Sequence, residues 1–193
     1  MKAPSHPPTV KQSPANPVKE KDNITLTCEV SGGIPLAAVS LDCGKTLSYN
    51  TDSTKASHSV YFEVSKEDNG RICNCSAMHP VAEYKPIIQH QIVVYYIPDT
   101  LLAITMIPDR IIDIGDNITL SCTVEGGNPS PTLKWDCGDD VTYNLGILGN
   151  KTTSSIHFEV DKYDNGKNCS CSAFHPISTY NHTRQHSITV YCE

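Results

Sequence analysis

Apolar and polar residues alternate, one by one, through most of this chain. Ile24, Leu26, Cys28 and Val30 fall on one side and Thr25, Thr27 and Glu29 on the other; Ile118, Leu120, Cys122 and Val124 repeat the arrangement. A strand sends successive side chains to opposite faces, so these runs predict half-buried β-strands. Val60, Phe62 and Val64, matched by Ile156, Phe158 and Val160, predict a later strand that ends before an Asn-Gly turn. Ile92 and Val94, matched by Ile188 and Val190, predict the last strand of each copy. No stretch sustains the period of about 3.6 residues that a helix requires, so the fold class is all-β. Residues 4–17 hold five prolines (Pro4, Pro7, Pro8, Pro14 and Pro17) and read as an extended lead-in or irregular edge strand.

The alternation is duplicated because the sequence is. Asp22-Asn23-Ile24-Thr25-Leu26-Thr27-Cys28, Leu41-Asp42-Cys43-Gly44, and Asp68-Asn69-Gly70 leading to Cys73-Asn74-Cys75-Ser76-Ala77 make one copy. Asp116-Asn117-Ile118-Thr119-Leu120-Ser121-Cys122, Trp135-Asp136-Cys137-Gly138, and Asp164-Asn165-Gly166 leading to Cys169-Ser170-Cys171-Ser172-Ala173 make the other. Cys28 and Cys122 stand 94 residues apart and Cys75 and Cys171 stand 96 apart, a difference of one small loop insertion. Two domains are expected, residues 1–97 with the proline-rich lead-in and residues 98–193. The boundary falls near Ile97, and Tyr95-Tyr96-Ile97-Pro98-Asp99 has none of the Gly/Ser character of a flexible linker, so a semi-rigid relation is expected.

The chain has nine cysteines. No CxxC knuckle pairs with another, and the Cys-x-Cys pairs lie inside alternating runs, so disulfides in an oxidising compartment are expected rather than a metal site. Asn23, Asn74, Asn117, Asn150, Asn168 and Asn181 each begin an N-x-S/T sequon, which agrees with an extracellular protein. Met1-Lys2-Ala3-Pro4 has no apolar core of a signal peptide, and Met1 is expected to be an initiator placed on a truncated piece. No apolar run of about 18 residues exists, so no membrane span is expected in this sequence. A net charge of −6, spread without blocks, argues against nucleic acid or anionic membrane as partner.

Cys122, Trp135 and Cys171, with Asp164-Asn165-Gly166 before the last strands, resemble the Cys…Trp…Cys set of the immunoglobulin superfamily. The form Asp-Asn-Gly-x-x-x-x-Cys-x-Ala-x-His-Pro occurs twice, ending at His79-Pro80 and His175-Pro176. It is similar to the C2-type domains of nectin- and nephrin-like adhesion receptors. The resemblance covers essentially the whole chain and implies two tandem immunoglobulin-like β-sandwiches. Leu41 stands where the tryptophan belongs in copy one and covers less of the disulfide, so domain one is expected to be the less stable.

The second departure from the family is the extra cysteine pair. Cys73 and Cys75 lie on one strand with parallel side chains and are not expected to pair with each other. In the resembled fold, strands C and F are antiparallel neighbours. If the Trp135 position faces Cys171, then Cys137 faces Cys169, and likewise Cys43 faces Cys73. The resemblance therefore implies Cys28–Cys75 and Cys122–Cys171 between sheets, and Cys43–Cys73 and Cys137–Cys169 within a sheet. Cys73 and Cys169 occupy the position where the family usually keeps its tyrosine corner. The extra loops, 30 and 32 residues in separation, are each worth about 3 kcal/mol in the chain-entropy picture. Cys192 is left over. It is expected to link to another chain or to residues past Glu193, or to stay a free thiol.

His79 with His90, and His175 with His186, are each eleven apart and flank one hairpin. By parity each pair could meet across two strands as a weak metal candidate, against the simpler reading of a hydrogen-bonded pair copied with its domain. No third ligand repeats, so no metal and no cofactor is expected. Asp68 and Asp164 have the residue type of catalytic carboxylates, but the resemblance makes them turn formers. Gly-x-Ser-x-Gly, HExxH and phosphate loops are absent, so no enzyme is expected. The loops at Val81–Pro86 and Ile177–His182 differ between copies. Tyr84, Lys85 and Tyr180 are their candidate partner-binding residues, with a glycan at Asn181 expected to mask the second loop.

These features imply a non-catalytic extracellular recognition or adhesion module from a receptor ectodomain. It would bind a protein partner, a second copy included, through a sheet face of its outer domain. Two alternatives stand beside it: a secreted immune recognition protein, and a structural spacer. In the first, the domains accompany a lectin- or fibrinogen-like module, as in the fibrinogen-related defence proteins of snails, and bind a glycan or pathogen surface.

Overall fold

The computed structural model describes residues 1–44, 48–52, 56–81, 83–138, 142–177 and 180–191, of which 48–52 by backbone alone. The chain divides into two compact units, Met1–Tyr95 and Tyr96–Glu193. Unit 1 contains β1 (Thr9–Ser13), β2 (Val18–Lys19), β3 (Asn23–Glu29), β4 (Ala38–Asp42), β5 (Ser48–Asp52), β6 (Ser57–Glu63), β7 (Ile72–Met78) and β8 (Ile87–Gln91), and the start of β9 (Val94–Pro98). One antiparallel sheet runs β1-β3-β6-β5 and the other β4-β7-β8. Val94 and Tyr95 then lie parallel to Val18 and Lys19.

Unit 2 repeats the plan with β10 (Ala103–Ile107), β11 (Ile112–Asp113), β12 (Asn117–Asn128), β13 (Thr132–Asp136), β14 (Tyr143–Leu148), β15 (Lys151–Glu159), β16 (Asn168–Phe174), β17 (Asn181–Ser187) and β18 (Val190–Tyr191). Its sheets are β10-β12-β15-β14 and β13-β16-β17, with β11 parallel to β18.

The alternation in sequence becomes the inward face of each sheet. Ile24, Leu26 and Cys28 on β3, and Ile118, Leu120 and Cys122 on β12, are fully buried, while Asn23 and Asn117 are exposed. Leu41 and Trp135 occupy the same place in the two cores, each directly opposite the cysteine that follows on β7 or β16. The Trp135 Nε1–H donates to the Ser154 carbonyl at 3.3 Å, a bond leucine cannot make. The proline-rich lead-in supplies an edge strand, since among the described residues β1 pairs with β3 alone, and Lys2 makes an isolated bridge to Ile34.

The last strand departs from the expected single run through Ile92 and Val94, and through Ile188 and Val190. β8 stops at Gln91 and β17 at Ser187, and the chain shifts to a new partner before β9 and β18. The Asp-Asn-Gly corner makes the shift possible. Gly70 and Gly166, both at φ 80°, donate to the carbonyls of Ile92 and Ile188 at 2.8 Å. Asn69 Oδ1 then accepts the Val94 N–H, and Asn165 Oδ1 the Val190 N–H, both at 3.0 Å. A side-chain oxygen thus stands in for the ladder carbonyl where the strand changes sheets.

Candidate recognition surface

Two disulfides in each unit hold the scaffold. Cys28–Cys75 and Cys122–Cys171 join opposite sheets, with Cα separations of 5.6 and 6.4 Å. Cys43–Cys73 and Cys137–Cys169 join neighbouring strands of one sheet, at 4.1 and 4.2 Å. The register explains the second kind. Leu41 faces Cys75 and Trp135 faces Cys171, so two residues further along one strand and two back along the other bring the remaining cysteines together. Cys192 lies outside the described residues.

Asp68 and Asp164 are held in the corners between β6 and β7 and between β15 and β16 by short helical turns, Lys66–Asp68 and Lys162–Asp164. Asp68 accepts from the Ser65 amide at 2.9 Å and from Arg71 Nε at 2.6 Å, and is 1% exposed. Asp164 accepts from the Asp161 amide at 2.9 Å and from Lys167 Nζ at 3.1 Å. A carboxylate committed to a cap and a cation closes a turn; these two form the corner from which Asn69 and Asn165 reach the last strand.

The expected meeting of His79 with His90, and of His175 with His186, does not occur. His90 faces Cys73 and His186 faces Cys169 in the ladders, whereas the His79 amide donates to Tyr84 O at the far end of the hairpin. The parity was right and the register was not: the hairpins turn nearer to His79 and His175 than midway between the histidines. His79 Nε2 bonds Pro35 O at 2.8 Å and His175 Nε2 bonds Pro129 O at 2.9 Å. His90 Nε2 bonds Gln12 Oε1 at 2.7 Å. Among the described residues no group of three or more His, Cys, Asp or Glu is placed to hold a metal.

The three candidate contact residues separate. Lys85 is exposed. Tyr84 is half-buried against the cluster of Val30, Ala37, Ala56 and Ala77, and its hydroxyl donates to His6 O at 2.5 Å, pinning the lead-in. A shallow groove lies there, lined by Pro4, His6, Pro7, Tyr84, Lys85 and Pro86 among others. Tyr180 is 6% exposed, with edge contacts to the rings of His175 and His182 at 6.2 and 4.6 Å, so it belongs to the core rather than to a contact surface. The tyrosine recurs in both copies because it fills the same end of the sandwich. All six sequon asparagines are exposed.

The outward face of the β4-β7-β8 sheet distinguishes the units, and the sequence reading passed over it. In unit 1, Ala38 faces Met78 and Ser76 faces Ile87, with Leu36 continuing the row beyond β4. Leu36, Met78 and Ile87 are 46%, 57% and 63% exposed. One row lower stand Asp42, Asn74 and Gln89. In unit 2 the matching positions are Ser130, Thr132, Phe174 and Thr183; Phe174 is 41% exposed, with Lys134 Nζ at 5.8 Å from its ring. Sequons Asn168 and Asn181 stand at opposite ends of that second face. The available signal was phase: Met78 and Ile87 fall out of step with the buried Cys73, Cys75 and Ala77.

Two such sandwiches, each with an inter-sheet disulfide, have the fold of two tandem immunoglobulin-like domains. No protein-family model matches the chain. Among curated proteins it is similar to nephrin of Rattus norvegicus, 29% identical over 169 residues, covering 81% of this chain and 13% of nephrin. The chain thus spans only a small part of that relative's length. Two solved structures share the fold. One is Rst D1–D2, with TM-score 0.66 and 16% identity over 94% of this chain and 99% of that one. The other is Dpr2 Ig1–Ig2, solved in complex with DIP-Theta Ig1–Ig3, with TM-score 0.54 and 17% identity over 96% of this chain and 65% of that one.

Proposed function

We propose that this chain is a non-catalytic extracellular recognition module that binds a protein partner, a second copy included, through the outward β4-β7-β8 face of unit 1. The observation that carries the reading is the exposed apolar group of Leu36, Ala38, Met78 and Ile87, of which unit 2 keeps one apolar member, Phe174, the other three positions being Ser130, Thr132 and Thr183. Clustered exposed apolar residues on a disulfide-braced sheet are what a partner surface requires. The solved complex of Dpr2 with DIP-Theta supports a protein partner for this fold. Four disulfides and six exposed sequons support an extracellular site. In this reading the sequons carry glycans, and the one on Asn74 bounds the apolar group from the row below.

Sedimentation velocity and a cell-binding assay with the glycosylated chain test it. Met78→Glu with Ile87→Glu is expected to abolish any concentration-dependent dimer or cell binding. Phe174→Glu is expected to leave both unchanged. Equal binding by the Met78/Ile87 variant and the unaltered chain would refute the assignment of the face.

A further inference from the structure

We infer that His79 and His175 are acid-sensitive clasps, each holding the hairpin turn of its unit against the connection that precedes β4 or β13, and letting the turn go on protonation. The inference is independent of partner binding and rests on which ring nitrogens are committed. Nδ1 of His79 accepts the Val81 amide at 3.1 Å, and Nδ1 of His175 accepts the Ile177 amide at 3.1 Å. An imidazole nitrogen accepts only when it carries no proton. The remaining proton therefore sits on Nε2, which donates to Pro35 O at 2.8 Å or Pro129 O at 2.9 Å. One ring thus bridges two loops with both nitrogens used, and only the neutral Nε2–H form can do so.

Burial makes the choice of form matter. His79 is 5% exposed and His175 is 7% exposed. A second proton would set Nδ1–H against a backbone N–H with little water to separate them, so the turn bond must break for the proton to enter. Facing His79 are the Pro35 carbonyl and the Val81 amide, its own backbone N–H donates to Tyr84 O, and Glu83 and Lys85 of the same turn are exposed. Facing His175 are the Pro129 and Asn128 backbone, the Ile177 amide and the Tyr180 ring, and Tyr180 in turn touches the His182 ring. Burial raises the Tyr84 and Tyr180 hydroxyls above their ordinary value, so both stay neutral and give no charge to offset an imidazolium. Burial also holds His175 below its ordinary value.

Nuclear magnetic resonance of the whole 15N-labelled chain decides the matter. Long-range imidazole spectra at pH 8 should show the neutral Nε2–H tautomer for both histidines. Solvent exchange of the Val81 and Ile177 amides, corrected for its intrinsic pH dependence, should lose protection as the pH falls from 8 to 5, by up to about tenfold per pH unit. The amides of Cys75 and Cys171 should keep theirs. His79→Asn and His175→Asn offer an acceptor that cannot be protonated, and should make the protection independent of pH. An Nδ1–H tautomer, or protection in the unaltered chain that does not change between pH 8 and pH 5, would overturn the inference whatever the variants do.

Discussion

Asn69 and Asn165 do a task at the level of single atoms that no ladder residue can do. Each offers a side-chain carbonyl to the N–H of Val94 or Val190, at the point where the last strand leaves its antiparallel neighbour. Val94 is fully buried and Val190 nearly so, so removing the acceptor leaves a donor without water. Asn69→Ala and Asn165→Ala are each expected to destabilise by about 1–3 kcal/mol, read as a lower urea midpoint at unchanged slope. Asn69→Asp keeps an acceptor and should recover most of the loss. The Asp-Asn-Gly triplet was legible in sequence as a turn. Its division of labour was not, because Asp caps, Gly turns and Asn reaches a residue 25 positions away. Such a distant partner has no local signature. Leu41 against Trp135 was readable, since both lie in phase with their strands.

Strands were the easiest elements to read and their register the hardest. The period of two located β3, β6, β12 and β15, because each has one face in a core and one in water. Placing Trp135 opposite Cys171 needed only the family's neighbouring strands, and the extra disulfides follow from that register. The histidines of each pair stay apart because alternation fixes which face a residue takes but not where a hairpin turns. Replacing Cys43 and Cys73 together by Ala is expected to cost about 3 kcal/mol in thermal or urea unfolding. Inter-sheet pairing should survive, and peptide mapping without reduction should still recover Cys28 joined to Cys75. A larger loss, with the chain unfolded at room temperature, would show that the clamp sets the β4–β7 register instead of reinforcing it.

Across the whole molecule, duplication explains the architecture and divergence points to function. The two copies agree in core, corner, clamp and clasp, all of which a sandwich needs in order to stand. They differ on the outward face of the three-stranded sheet, where Leu36, Ala38, Met78 and Ile87 of unit 1 are matched by Ser130, Thr132, Phe174 and Thr183 of unit 2. That contrast was invisible while the sequence was read for buried positions, since exposed apolar residues look like noise in an amphipathic pattern.

The inter-sheet disulfides also decide how this chain would respond to a pull on its ends. Each closes a covalent loop, with sequence separations of 47 and 49 residues, that tension cannot enter. Under oxidising conditions a fully stretched chain can therefore pay out only about half of its contour, at roughly 3.4 Å per residue. A reductant would release the rest, so the same molecule is a short tether in one redox environment and a long one in another.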